Sequence, residues 1–399
     1  MRLCALVMLL ALVVSGCATA DPPISTNAVD VDTTVAPTAV STTDTVVTAT
    51  TTVPPITTTA STSTRQPVPS EVALEKPGVH GVGRTVIETV DLSRDNRPLR
   101  VWVFYPTATN PESVEIDAEP DATGAPYPVI LGDADIGDVM GPHLASHGFV
   151  FASVQGQHTW ANSFNENMID YPLDHMATLD ALETITAGPI AGLVDTTNAG
   201  TIGYSFGGWD ALMLTGARID PDHYAQICAS KPASWTDSWW TYVCGQGERW
   251  ERVVTRAEEV GIATPEGLWE PMGDWRIKAA MPMGAEGYAQ TGPEGLASGT
   301  AAVLLINASD DDTYATAAGV FEHYSGAELI TFVGADHMMI FQPDAVDQMR
   351  RFAVAFFKQQ LTGSDTYSHF LSQEFVEGQA PTIGESNSYD TLIWGTPGN

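Results

Sequence analysis

From about residue 75 onward, short apolar runs alternate with longer segments whose apolar residues recur every three or four positions. Short apolar runs bounded by turn-forming residues are typical of strands buried on both faces, and the longer spacing is typical of helices packed on one side. Strands are predicted at 128–131, 149–154, 277–283, 301–307 and 327–333, with one more ending at residue 204. Helices are predicted at 141–147, 173–186, 315–324 and 344–361, with one more beginning at residue 206.

Two further β-rich runs, Arg84–Asp91 and Leu99–Tyr105, precede this alternation. The Asp95-Asn96 pair between them is a hairpin signal. An antiparallel hairpin followed by alternating strands and helices favours a mostly parallel sheet with helices on both faces. The predicted fold class is therefore α/β.

The chain begins with a different pattern. Arg2 precedes an apolar run from Leu3 to Val14, which is too short to span a bilayer as a mature helix. The run ends in Val14-Ser15-Gly16-Cys17, which resembles the bacterial lipobox. The resemblance implies that residues 1–16 are a signal peptide and that the Cys17 thiol carries a lipid after cleavage. An ordinary secretory signal is the alternative.

Residues 17–74 are rich in threonine, serine, proline, valine and alanine, and the first aromatic residue of the chain is Trp102. A segment with so little to bury is typical of a disordered tether. We therefore expect a domain of residues 75–399 that is held outside the cytoplasm on the bacterial cell envelope, or secreted. No later run reaches about 18 consecutive apolar residues, so we expect no further membrane segment.

The charge balance excludes one class of partner. The chain has 17 lysine and arginine residues against 49 aspartate and glutamate residues, a net charge of −32. A surface this acidic repels the phosphates of nucleic acids and anionic lipid headgroups. We therefore expect no nucleic-acid partner, and membrane contact only through the lipid anchor.

Cysteine usage agrees with export. Cys4 would leave with the signal peptide and Cys17 would carry the lipid, so Cys228 and Cys244 remain. An isolated pair in an oxidising compartment predicts a disulfide. No histidine or second cysteine pair stands at metal-ligand spacing, and there is no phosphate loop or dinucleotide motif. We expect neither a metal nor a cofactor.

The sharpest motif is Gly203-Tyr204-Ser205-Phe206-Gly207, a Gly-x-Ser-x-Gly sequence between a predicted strand and a predicted helix. A nucleophile on a tight strand-to-helix turn needs flanking glycines because neighbouring chains pass too close for a Cβ atom. The hydroxyl of Ser205 would project above the sheet. The N–H of Phe206, at the N-terminus of the helix, would stabilise an oxyanion.

A nucleophilic serine needs a base. In proteins that carry the nucleophile on a Gly-x-Ser-x-Gly turn of this kind, the acid follows the serine in the chain and the histidine follows the acid. His323 falls within a predicted helix and His369 within an acidic, irregular tail. His337 comes directly after the last predicted strand, at the carboxyl edge of the sheet, from which it can reach Ser205. His337 is therefore predicted to be the base.

Three adjacent carboxylates, Asp310, Asp311 and Asp312, follow the strand predicted at 301–307. Mutual repulsion prevents all three from being buried and ionised against one imidazole. One is expected to orient His337, while the others are solvated or cap the next helix. Spacing alone does not choose between them.

These features resemble the α/β-hydrolase superfamily, and within it the dienelactone-hydrolase-like and cutinase-like polyester-hydrolase branch. The resemblance covers about Val79–Leu361. It rests on the Gly203–Gly208 turn, on Ala145–Val150 before a strand, on Trp275–Ala279 and on Gly292–Leu296. It implies an α/β-hydrolase fold and the hydrolysis of carboxylic esters, small or polymeric.

The resemblance also implies roles for individual residues. In bacterial cutinases the acid directly precedes threonine or serine, which places it at Asp312, with Asp310 and, more weakly, Glu286 as alternatives. The turn at 132–138 would donate the second oxyanion N–H from Asp135, where the family usually has His-Gly or Pro-Gly. Dienelactone hydrolases proper use a cysteine nucleophile, so Ser205 does not imply lactone specificity.

An insertion at about 218–275 departs from a minimal cutinase, and we predict that it forms a cap. It contains the Cys228/Cys244 pair and five tryptophans, which are Trp235, Trp239, Trp240, Trp250 and Trp269. The tryptophans either line an acyl-binding pocket or, as we expect for most of them, form a small core of the cap itself. A cap would favour smaller esters over a broad polymer surface.

The function expected from the sequence is an exported serine hydrolase of carboxylic esters that acts through Ser205, His337 and Asp312 by way of an acyl-enzyme. Two alternatives stay open. Prolyl-oligopeptidase-like peptidases share the Gly-x-Ser-x-Gly-Gly pattern, although this chain has no propeller repeats. A catalytically inactive hydrolase fold that binds a ligand or partner is the other.

Overall fold

The computed structural model describes residues 73–109, 113–155, 164–245, 247–379 and 387–395. The predicted signal peptide, the Cys17 lipid anchor and the predicted tether up to residue 72 lie outside the described residues. Within the ranges given, no helix has both the length and the apolar composition needed to cross a membrane.

The described residues form a ten-stranded sheet. Its strands are β1 (Gly81–Asp91), β2 (Arg97–Thr107), β3 (Val114–Ile116), β4 (Tyr127–Gly132), β5 (Val150–Val154), β6 (Val194–Tyr204), β7 (Ile277–Met283), β8 (Ala302–Ala308), β9 (Glu328–Val333) and β10 (Thr391–Trp394). Their order is β10-β9-β8-β7-β6-β4-β5-β2-β1-β3. The six strands β4 to β9 pair with one another in parallel, whereas β2 is antiparallel to β1 and β5, and β10 to β9. The predicted α/β class with a mostly parallel sheet is confirmed.

Helices flank this sheet. They are α1 (Ala134–Ser146), α2 (Asn167–Thr184), α3 (Phe206–Leu214), α4 (Pro221–Ala229), α5 (Asp237–Cys244), α6 (Glu248–Glu259), α7 (Tyr288–Leu296), α8 (Tyr314–His323), α9 (Pro343–Thr362) and α10 (Gln373–Glu377). Side chains of β8 show how the two faces are filled. Leu304 and Ile306 pack with α1 and α9, whereas Val303 and Leu305 pack with α3 and α8. This alternation follows from the two-residue period of a strand, and it buries β8 on both faces.

The predicted hairpin is present, and its turn has the expected backbone. β1 and β2 pair antiparallel in register from Gly81 opposite Thr107 to Asp91 opposite Arg97. Asp95 and Asn96 have φ values of 54° and 56°, in the left-handed region that asparagine and aspartate tolerate better than most residues.

Helix α1 begins seven residues earlier than the helix predicted at 141–147. The carboxylate of Asp133 accepts a hydrogen bond from the Ile136 N–H at 2.9 Å and so caps the first turn. Asp135 in the same turn is stabilised by the positive end of the helix dipole. These acidic residues interrupt the apolar periodicity at the start of α1, so the sequence pattern did not predict this part of the helix.

The chain beyond Gly363, expected to be an irregular tail, is folded onto the domain where it is described. Phe370, Leu371 and Val376 are buried in the same core cluster as α9. Further on, β10 pairs with β9 and adds an antiparallel edge strand.

Helices α4, α5 and α6 form half of the tryptophan-rich segment, as we term residues 218–275. The predicted disulfide is present: Cys228 at the end of α4 is bonded to Cys244 at the end of α5. Trp235, Trp239 and Trp269 are buried, but they share one cluster with Phe206 and Trp209 of α3. Within this cluster Trp235 contacts Trp239 and Trp250 stacks on Trp269, so the core formed by these tryptophans is continuous with that of the domain.

Candidate active site

Ser205 occupies a strained turn between β6 and α3. Its backbone angles φ and ψ are 56° and −116°, a combination that residues other than glycine rarely adopt. A Cβ atom at Gly203 would come within 1.9 Å of the Gly207 carbonyl oxygen, so only glycine fits there. The first glycine of the motif thus permits the tight turn, as the sequence predicts.

His337 lies on the loop after β9 and faces Ser205. Its Nε2 atom is 2.9 Å from the Ser205 hydroxyl oxygen. The Tyr204 hydroxyl, from the residue before the serine, donates a hydrogen bond to the His337 carbonyl oxygen and ties the loop to the turn. The structure therefore brings together the serine and histidine selected from the sequence.

The acid that faces His337 is Asp311. Its Oδ2 atom is 2.7 Å from His337 Nδ1, and its side chain is 2% exposed. Its other oxygen accepts a hydrogen bond from the Thr313 N–H at 2.8 Å, which fixes the orientation of the carboxylate. Both carboxylate oxygens of Asp311 therefore have a hydrogen-bonding partner.

The sequence-based choice of Asp312 was wrong, because its side chain points away from His337. Asp312 is exposed and accepts hydrogen bonds from the hydroxyls of Thr236 at 3.0 Å and Ser238 at 3.4 Å, at the start of α5. Asp310, the first alternative, is also exposed and accepts a hydrogen bond from the neighbouring Ser309 hydroxyl. The turn after β8 directs successive side chains to different sides, which spacing alone does not reveal.

Glu286, the weaker alternative, is close to the site but does not hold the imidazole. It lies on the loop between β7 and α7, 6% exposed, and accepts a hydrogen bond from the Tyr242 hydroxyl of α5 at 3.4 Å. Burial raises the pKa of Glu286 to about 7, against the opposing effects of His337 and the Tyr242 hydrogen bond.

The electrostatic surroundings favour a protonated His337. Burial works to lower the pKa of His337, but the hydrogen bond and charge of Asp311 outweigh it, with smaller contributions from Glu286 and Asp336. The pKa of His337 is consequently raised above its usual value. An imidazole held between a hydroxyl and a buried carboxylate can accept the hydroxyl proton and remain stable as a cation.

The two N–H groups expected to face an oxyanion both lie in the first turn of a helix. Phe206 is the first residue of α3, and Asp135 is the second residue of α1. First-turn N–H groups have no carbonyl partner within their own helix, so they are available to a ligand. The Asp135 side chain reaches the surface, but partial burial raises the pKa of its carboxyl above the usual value.

A residue that sequence reasoning missed connects the first turn of α1 to the end of β6, directly before Ser205. Asp133 is 2% exposed, and its carboxylate accepts hydrogen bonds from the N–H groups of Ile136 at 2.9 Å and Tyr204 at 2.8 Å. Burial raises its pKa to about 7. Its position immediately before α1 is a helix-capping signal, but the contact with the distant Tyr204 has no counterpart in the sequence.

No group of three or more histidine, cysteine or acidic side chains is arranged to hold a metal ion within the part of the chain that the structure describes. Comparison with known proteins adds no assignment, since no protein-family model matches the chain and no curated protein matches it significantly in sequence. The geometry of the site therefore carries the functional argument.

Proposed function

We propose that this chain is a serine hydrolase of carboxylic esters with an α/β-hydrolase fold. One observation carries the proposal: His337 lies 2.9 Å from the Ser205 hydroxyl and 2.7 Å from the buried Asp311 carboxylate. The strained turn between a parallel strand and a helix supports the same function, because it is the usual site of a nucleophilic serine in this fold.

The reaction follows from this arrangement. The Ser205 oxygen attacks the ester carbonyl carbon while His337 Nε2 takes the hydroxyl proton, and the N–H groups of Phe206 and Asp135 bind the resulting oxyanion. Collapse of the intermediate breaks the bond to the alcohol, which receives the proton from His337. Water then attacks the acyl-enzyme while His337 takes its proton. Collapse of this second intermediate releases the carboxylic acid, and the proton returns to the Ser205 oxygen.

The ionised Asp311 stabilises the imidazolium that forms in both steps and holds its Nδ1 proton. Its low exposure strengthens this interaction, because few water molecules screen it. The backbone N–H of Asp135 can donate independently of its side chain, whose carboxyl has a pKa raised by partial burial.

We propose that the tryptophan-rich segment acts as a cap over Ser205. Support comes from α5, which contacts the acid loop through Thr236 and Ser238 and contacts Glu286 through Tyr242. A cap in this position favours small esters over an extended polymer surface. Cys17 would anchor the enzyme to the cell envelope, and the tether would hold the domain away from the membrane.

The test is hydrolysis of p-nitrophenyl esters from acetate to octanoate by the full chain. We expect turnover that falls by at least about a thousandfold in Ser205→Ala, because the nucleophile is lost. Ser298→Ala, which removes a hydroxyl just after the end of α7, is the matched control and should retain activity. Near-full turnover by Ser205→Ala would contradict the proposal.

A further inference from the structure

The carboxylate of Asp133 joins the two chain segments that carry the proposed oxyanion donors. Its Oδ1 atom accepts the Ile136 N–H in the first turn of α1, and its Oδ2 atom accepts the N–H of Tyr204, the residue before Ser205. The proposed donors, Asp135 and Phe206, are therefore each one or two residues from an N–H that this carboxylate holds.

The turn around Ser205 is closed tightly on this carboxylate. A Cβ atom at Gly207 would come within 1.9 Å of Asp133 Oδ2. The second glycine of the serine motif is thus required by the contact with Asp133, whereas the first is required by the backbone of the turn itself.

Capping of α1 alone does not explain an aspartate at this position. Serine caps a helix about as well and leaves no buried charge. The serine hydroxyl, however, offers one oxygen on a shorter side chain and cannot serve both N–H groups. The second carboxylate oxygen is needed only for the contact with Tyr204, 71 residues away in the sequence.

We propose that Asp133 is a positioning residue of the oxyanion hole, whose two carboxylate oxygens hold the N-terminus of α1 and the Ser205 turn at a fixed separation. The inference rests on the proposed ester hydrolysis. Displacement of an oxyanion donor by about 1 Å can reduce a rate about a hundredfold, so a group that fixes the separation of two donors affects catalysis without touching substrate.

The experiment compares Asp133→Ser with the wild type on p-nitrophenyl butyrate. The introduced serine can still cap α1 but leaves the Tyr204 N–H without its acceptor. We expect kcat to fall about a hundredfold and KM to change by less than about threefold, because the oxyanion forms only in the transition state. Asp133→Asn, which retains one acceptor oxygen, should show the same pattern and replaces the serine variant if that variant does not fold.

A control comes from Asp121, which lies outside the proposed cap and caps the short helical turn Ala122–Gly124 through the Thr123 N–H at 3.0 Å. Asp121→Ser should leave kcat unchanged. Hydrogen exchange provides a second readout: the Tyr204 amide should exchange faster in Asp133→Ser, whereas the Ile136 amide should remain protected.

Two results would overturn the inference while leaving ester hydrolysis intact. One is an unchanged kcat in both folded Asp133 variants. The other is a loss of kcat that appears equally in Asp133→Ser and in the Asp121→Ser control, since that would indicate a general effect of helix capping. Failure of the proposed function is distinguishable, because the wild type itself would then show no turnover above Ser205→Ala.

Discussion

At the scale of single residues, the turn after β8 determines which carboxylate serves His337. Asp311 is held by the Thr313 N–H and buried, whereas Asp312 is exposed and bonded to hydroxyls of α5. The two side chains are neighbours in sequence and differ completely in environment. Their separate substitution is therefore an informative comparison.

We predict that Asp311→Asn lowers kcat about 10⁴-fold, because an amide neither stabilises the imidazolium nor fixes the required tautomer of His337. Asp312→Asn should retain activity within about twofold. The measurement is kcat on p-nitrophenyl butyrate, with the folded state of each variant verified by circular dichroism. The assignment of the acid would be wrong if the two variants exchanged these effects.

Glu286 provides a test of the electrostatics. The fraction of Glu286 that is ionised, with its pKa near 7, favours the imidazolium and so raises the pKa of His337. In Glu286→Gln, His337 should lose its proton at lower pH, and the acid limb of the profile of kcat/KM against pH should move to lower pH. Glu294→Gln, an exposed change on α7, should leave the limb in place. A shift of the limb to higher pH would contradict the account.

The serine and histidine were predictable because Ser205 belongs to a motif directly after β6, and His337 lies on the loop after β9 and follows the serine in the expected order along the chain. The acid could not be predicted, because three aspartates follow one another in the same turn. Only the backbone conformation of that turn decides that the Asp311 side chain faces His337. Asp133 escaped prediction for a related reason: its partner Tyr204 is brought near by the sheet, through the parallel pairing of β4 with β6.

At the scale of elements, a buried group of charges attaches the β1–β2 hairpin to α2. The Arg94 side chain is 3% exposed and lies within ion-pair distance of Asp91, Asp170 and Asp174. Removal of the arginine would leave the negative charges of these carboxylates less neutralised in a site that is largely closed to water.

We therefore predict that Arg94→Met lowers the free energy of unfolding by about 3–5 kcal/mol. Arg100→Met, which removes an exposed arginine 3.5 Å from Glu88 on the same hairpin, should change it by less than about 0.5 kcal/mol. Urea denaturation of both variants is the measurement. Equal stabilities would show that the buried charges do not hold the hairpin in place.

Elements buried on both faces were the easiest to predict. β7 was predicted with its observed bounds, and β8 and β9 within one residue, because a strand inside a parallel sheet is buried on both sides and is therefore apolar along most of its length. The edge strands β3 and β10 were missed, since they span only three and four residues. Their pairing depends on the chain that lies beside them more than on their own pattern.

At the scale of the whole molecule, the parallel sheet assembles the site. Ser205, Asp311 and His337 follow the carboxyl ends of β6, β8 and β9, so residues up to 132 positions apart meet at one edge. This is the edge at which open α/β sheets bind their ligands. The alternation of strands and helices in the sequence is sufficient to predict that edge.

The net charge of −32 leads to a prediction for the molecule as a whole. Repulsion among exposed carboxylates opposes the compact state, and salt screens it, since the Debye length falls from about 30 Å at 0.01 M to about 3 Å at 1 M. The melting temperature should therefore rise between 0.01 and 1 M NaCl, and equally in KCl. A fall in melting temperature would mean that exposed ion pairs outweigh the repulsion.

The central claim is that Ser205 is an activated nucleophile, and reaction with a fluorophosphonate probe tests it most directly. We predict that the full chain incorporates one probe per molecule, that peptide mapping places it on Ser205, and that His337→Ala reacts at least about a hundredfold more slowly. A folded wild-type chain that leaves Ser205 unlabelled, or that reacts equally well without His337, would contradict the account.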